Sequence, residues 1–263
     1  MKKISQYITE KLKISSNMNG DYNYKPLNKE ELVDIINKLI KERGQEADLN
    51  DIDTSRITDM SQLFAERKHF NGDVSQWDVS HVTSMYHMFQ NCEKFNCDLS
   101  HWDVSQVENM AYMFFGCDEF NQDVSRWNVK KCKNMREMFC NCVKFNCNLS
   151  NWDVSNCENM YAMFNHCDEF DSDLSHWNVE NVTTMAEMFS WCKKFNSDIS
   201  RWNVKNVTDF SYMFEGCENF KQDLENWNVN KAMNFRYSMV AIFRKCPKMN
   251  SYRPSWYNRY NKH

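Results

Sequence analysis

The sequence predicts an α/β repeat solenoid with one short parallel strand and one short helix in each 25-residue rung. Three observations carry this. Trp77, Trp102, Trp127, Trp152, Trp177, Trp202 and Trp227 stand 25 positions apart without a break, which is the mark of a repeat array. Two hydrophobic periodicities alternate inside each unit, one of 2 residues and one near 3.6. With only 5 Gly and 3 Pro, an ordinary sandwich or barrel would lack its turn residues.

Residues 1–14 read as an amphipathic N-terminal segment, in which Ile4, Tyr7, Ile8 and Leu12 share a face and Lys2, Lys3, Lys11 and Lys13 surround it. A helix this short is marginal alone, so the segment needs a groove in the array or on a partner. Residues 15–27 are polar and form a linker. Residues 28–45 are expected to be a capping helix. Asn28 and Glu31 supply its start, Leu32, Ile35, Ile36, Leu39 and Ile40 its apolar stripe, and Gly44 its stop.

Residues 46–250 hold a solenoid of eight to nine 25-residue repeats. The first copy is degenerate, with Asp48 to Asp53 in place of the Trp motif. At the far end Met239, Ile242, Phe243, Cys246 and Met249 follow Phe210, Met213, Phe214, Cys217 and Phe220 at an offset of 29, so four residues are inserted near Asn234 to Ser238. Irregular terminal units are usual in such arrays.

Within a unit, Met85, Met88, Phe89 and Cys92 lie at i, i+3, i+4 and i+7, which predicts two helical turns. Ser84, Asn109, Asn134, Asn159, Thr184 and Asp209 stand at its N-cap. Asp73-Val74-Ser75 alternates, which predicts the strand. Stacking then lines up columns of Trp, Phe, Met and Cys, and Asn71, Asn96, Asn121, Asn146 and Asn196 can bond between rungs. The 33 Asn in the chain fit that role.

The unit running Phe95-Asn-x-Asp-Leu-Ser-x-Trp-Asp-Val to Met110-x-x-Met-Phe-x-x-Cys117 resembles the repeat of the BspA-like leucine-rich-repeat surface proteins of bacteria, found also in mycoplasma lipoproteins and phage genomes. The resemblance covers residues 46–250. It implies a leucine-rich-repeat-like solenoid that binds proteins or surfaces without catalysis. Those surface proteins carry an export signal and an envelope anchor, and neither is seen in this sequence. Residues 1–14 also resemble short peptides that sort some tailed-phage proteins into capsids, which implies a phage-encoded or virion-associated protein.

Charge and cysteine usage narrow the function classes. Residues 231–263 hold eight Lys or Arg and no acid, leaving 24 basic and 36 acidic residues before them. Nucleic acid is therefore unexpected on the body, although the basic aromatic C-terminal tail, 251–263, mixes Tyr252, Trp256, Tyr257 and Tyr260 with Arg253, Arg259 and Lys262. Covering the last rung is the stronger reading of that tail. The 12 Cys, with no signal-peptide or membrane-spanning run in view, point to free thiols in the cytoplasm of a bacterial or host cell, or in a virion.

No catalytic, cofactor or metal residue emerges. The column Cys92, Cys117, Cys142, Cys167, Cys192 and Cys217 reads as packing, as do Cys132 and Cys157, whereas Cys97, Cys140 and Cys147 face outward and are the more reactive candidates. Stacked carboxylates from Asp73 to Asp223 are expected to raise some of their pKa values by mutual repulsion, and these Asp can equally bond nearby backbone N–H groups. The 5 glycines form no phosphate loop, and the histidines scatter over different phases.

Binding is expected where units differ. Tyr86, Tyr112, Phe115, Tyr161, Trp191 and Tyr212 would stud the helix side with aromatics, which binding hot spots favour. His101, Arg126, His176 and Arg201 would form a stripe on the sheet face. The expected function is a non-catalytic scaffold for an unidentified protein partner. A BspA-like bacterial adhesin is the first alternative, and nucleic-acid contact through the tail the second.

Overall fold

A computed structural model describes residues 22–260; the segment 1–14 and Lys262 lie outside the described residues. The described residues run from helix α1, Lys29–Arg43, to a short helix α2, Ser255–Tyr260. Between them runs a stack of 25-residue coils built almost entirely from turns.

Among the described residues the expected strand and helix per rung are both absent. Among the described residues the only pairings of β type are isolated one-residue parallel bridges, such as Asp59 to Ser84, Ser84 to Asn109 and onward to Thr184 and Asp209. Asp73-Val74-Ser75 is a bridge residue leading into a turn. The 85–92 segment fails as a helix because its amides alternate between two destinations. Those of Met85, His87, Phe89 and Asn91 donate to the carbonyls of Asn109, Ala111, Met113 and Phe115 in the next rung at 2.7–3.0 Å. Those of Met88, Gln90 and Cys92 close turns onto Met85, His87 and Phe89.

A left-handed residue sits at two places in each unit: His87 and Asn91 (φ 56 and 55), Glu137 and Asn141 (51 and 60), Glu187 and Trp191 (59 and 63). Each interrupts the right-handed series a helix requires. Buried residues at i, i+3, i+4 and i+7 therefore come here from successive tight turns.

The expected N-caps serve these turns instead. Asn109, Asn134, Asn159 and Asp209 accept from the amide two residues on, at 2.9–3.1 Å. The column Asp73, Asp98, Asp123, Asn148 and its successors does the same, and so do Asp78, Asp103 and Asp153. Such side-chain turns replace the missing Gly and Pro. The Asn71 column donates nothing here but accepts: the amides of Asn96, Asn121 and Asn146 bond the side-chain oxygen one rung below at 2.9–3.0 Å.

The core is a set of continuous columns. The indole N–H of each Trp donates to a carbonyl 28 residues earlier, as Trp152 does to Val124 at 3.0 Å, and Trp127, Trp152, Trp177, Trp202 and Trp227 stack at 6.4–6.5 Å. Phe89, Phe114, Phe139, Phe164 and Phe189 stack at 5.6–5.9 Å.

Both ends are covered. Asn28 accepts from the Glu31 amide at 2.9 Å, and Leu32, Ile36, Leu39 and Ile40 of α1 are buried. Gly44 takes φ 88 to end that helix. At the far end Trp256 in α2 extends the Trp column by donating to Leu224 at 2.9 Å, and Tyr257 packs against Phe243. No described helix is long and apolar enough to cross a membrane.

Candidate binding face

The second, third, sixth and seventh residues counted from the first Met of each Met-x-x-Met-Phe segment project from backbone that is fixed by the rung-to-rung bonds just described. The side chains there change from unit to unit while the backbone does not. Tyr86, Tyr112, Phe115, Tyr161, Trp191 and Tyr212 all lie on this face, half-buried. It belongs to the turn segment, since there is no helix to carry it.

Two connected groups result. In the first, Tyr86 meets His87 edge-on at 3.9 Å, and His87 stacks on Tyr112 at 4.3 Å. Phe115 lies 6.0 Å from Tyr112. Arg136 donates to the Tyr112 hydroxyl at 2.6 Å, lies over the Tyr161 ring at 4.2 Å and pairs with Glu137 at 3.0 Å. Tyr161 donates to Glu187 at 3.0 Å, and Asn165 donates to the same carboxylate at 3.1 Å. Burial raises the pKa of both tyrosines, Glu187 adding to the effect at Tyr161 and Arg136 opposing it.

In the second group, Trp191 lies against Gly216, where an added Cβ would come within 2.7 Å of the indole; Gly216 also takes φ 71. Lys245 stands over the Trp191 ring at 4.8 Å, and Arg244 over Tyr212 at 5.2 Å. Arg244 also pairs with the buried Glu215 at 2.6 Å. Sequence reasoning finds the aromatics and misses the cations between them. The available signal is the offset of 24 to 25 residues that puts Arg136 between Tyr112 and Tyr161.

His101, Arg126, His176 and Arg201 stand elsewhere, exposed at the turns before the Trp residues, with no sheet face beneath them. Arg126, His176 and Arg201 help lower the pKa values of Asp123, Asp173 and Asp198, whose main cause is hydrogen bonding from Ser125, Ser175 and Ser200. At these three positions the expected upward shift is reversed.

All 12 cysteines are free. The column thiols are more than packing: each S–H donates to a carbonyl of the previous rung, Cys142 to Phe114 at 3.0 Å. Of the three cysteines expected to face outward, Cys140 and Cys147 are buried and Cys97 is half-buried. Burial pushes the Cys97 and Cys140 thiols up to about 12 and raises Cys147, whose sulfur also accepts from the Val124 amide. Among the described residues no three His, Cys, Asp or Glu side chains converge on a metal site.

Residues 34–152 and 133–256 each match a family model described as a Mycoplasma protein of unknown function, DUF285. Solved structures give weak similarity to leucine-rich-repeat proteins. One is a complex of TLR13 with ssRNA13, 10% identical over 65% of this chain and 35% of that one, with a TM-score of 0.18. Another is the LRR ectodomain of the plant membrane receptor kinase GASSHO1/SCHENGEN3 from Arabidopsis thaliana in complex with CASPARIAN STRIP INTEGRITY FACTOR 2, 10% identical over 66% and 31%, with a TM-score of 0.14. This chain spans about a third of each, and likenesses so slight carry no argument. Comparison with curated proteins finds no match.

Proposed function

The chain belongs to the DUF285 family, whose function is unknown, and from that membership and the geometry above we propose that it is a non-catalytic scaffold that binds a protein through its turn face. The observation that carries this is the division of labour within each unit. The rung-to-rung bonds and buried columns repeat, whereas the half-buried positions of Tyr86, Tyr112, Tyr161, Trp191 and Tyr212 vary in residue type. Tyr, Trp and Arg are the residues that concentrate binding energy at interfaces. Among the described residues the repeated polar side chains are engaged in turns and between-rung bonds, so the architecture already accounts for them.

Twelve unpaired cysteines support residence in a reducing compartment. Display outside the cell, as in a BspA-like adhesin, is separated from this by fractionation of producing cells. The virion-associated reading has only residues 1–14 in its favour. The binding reading is tested by affinity capture from producing cells with the intact chain and with Tyr86→Ala/Trp191→Ala/Tyr212→Ala. A protein retained by the first and lost from the second supports it; equal retention contradicts it.

A further inference from the structure

The one break in the array opens a second kind of site. At the four-residue insertion the chain leaves its register, and Met233, Asn234, Phe235, Arg236 and Tyr237 form, with Arg259 and Tyr260 of α2, a cleft of about 720 Å³. Its chemistry differs from that of the turn face. Phe235 and Tyr237 are 51% and 60% exposed, two of the five exposed large hydrophobics among the described residues. Large apolar side chains left in water mark binding sites when they cluster.

The cleft is also basic. Arg236 lies over the Tyr237 ring at 4.8 Å, and neither Arg236 nor Arg259 has an ion-pair partner among the described residues, in contrast to Arg43, Arg136 and Arg244. No acid occurs after Glu225. Glu225 feels the Arg259 charge, but its oxygens accept from the amide and hydroxyl of Ser255. Trp256 is consumed by capping the Trp column and Tyr257 packs against Phe243, which leaves Tyr260 as the tail aromatic that lines the cleft.

We infer that this cleft binds single-stranded nucleic acid, with a base stacked on Phe235 or Tyr237 and the adjoining phosphates on Arg236 and Arg259. Aromatic platforms beside unpaired arginines suit exposed bases on a charged strand, and the acidic body restricts the strand to this end. The inference is independent of the protein-binding reading, because no residue is shared with the turn face.

The test is fluorescence anisotropy of a labelled oligothymidine, about a dozen nucleotides long, with the full chain. Binding should weaken as salt rises. Phe235→Ala/Tyr237→Ala should weaken it about tenfold, the loss of one stacked base, and Arg236→Glu/Arg259→Glu should abolish it, both with an unchanged melting temperature. Lys131→Glu, on a distant rung, should leave it intact. No binding by the wild-type chain, loss in the arginine variant alone, or equal affinity for a mononucleotide would each overturn the inference.

Discussion

The Cys142 thiol is fully buried, and burial holds its pKa well above 9.0; Cys117, Cys167, Cys192 and Cys217 behave alike. The folded state therefore keeps protons that the unfolded chain releases near pH 9. Stability is complete below that pH and falls as pH rises, by about 1.4 kcal/mol per pH unit for each such thiol. Melting temperature should be flat from pH 7 to about 9 and then drop steeply; a flat profile to about pH 11 would contradict it. A thiol reagent at pH 8 should find the column thiols unreactive in the native protein and all twelve reactive after denaturation. At this scale the columns were legible, because a period of 25 aligns identical residues whatever the local structure. The S–H bonds were not, since spacing shows alignment and not direction.

Among local elements, α1 was readable from its cap, stripe and Gly stop, and Asn28→Ala should cost about 1 kcal/mol by chemical denaturation. The repeat segment was misread because successive turns bury the same positions as a helix. Ala162 and Ala186 separate the two directly. Both are buried, but only Ala162 has positive φ, 49°. A left-handed non-glycine residue costs about 1–2 kcal/mol, so Ala162→Gly should be neutral or stabilising, while Ala186→Gly should cost about 1 kcal/mol. In a helix both would cost about 1 kcal/mol. The measurement is the urea midpoint of each variant.

For the molecule as a whole, stacked units communicate through their neighbours. Trp152, with stacked indoles on both sides, should cost about 3–5 kcal/mol as Ala, and Trp77→Ala near the end should be milder. The insertion near Asn234 was visible as a change of offset from 25 to 29; that it opens a cleft depends on how α2 folds back, which no repeat pattern encodes. Scaffold and reading face are separate in this account, and thermal unfolding of two variants tests that claim most directly. Trp152→Ala should lower the melting temperature by roughly 6–20 °C. The triple Tyr86→Ala/Trp191→Ala/Tyr212→Ala, with three half-buried aromatics removed, should lower it by less than that single change. A triple variant that melts below Trp152→Ala would contradict the account, because the face would then be part of what holds the stack together.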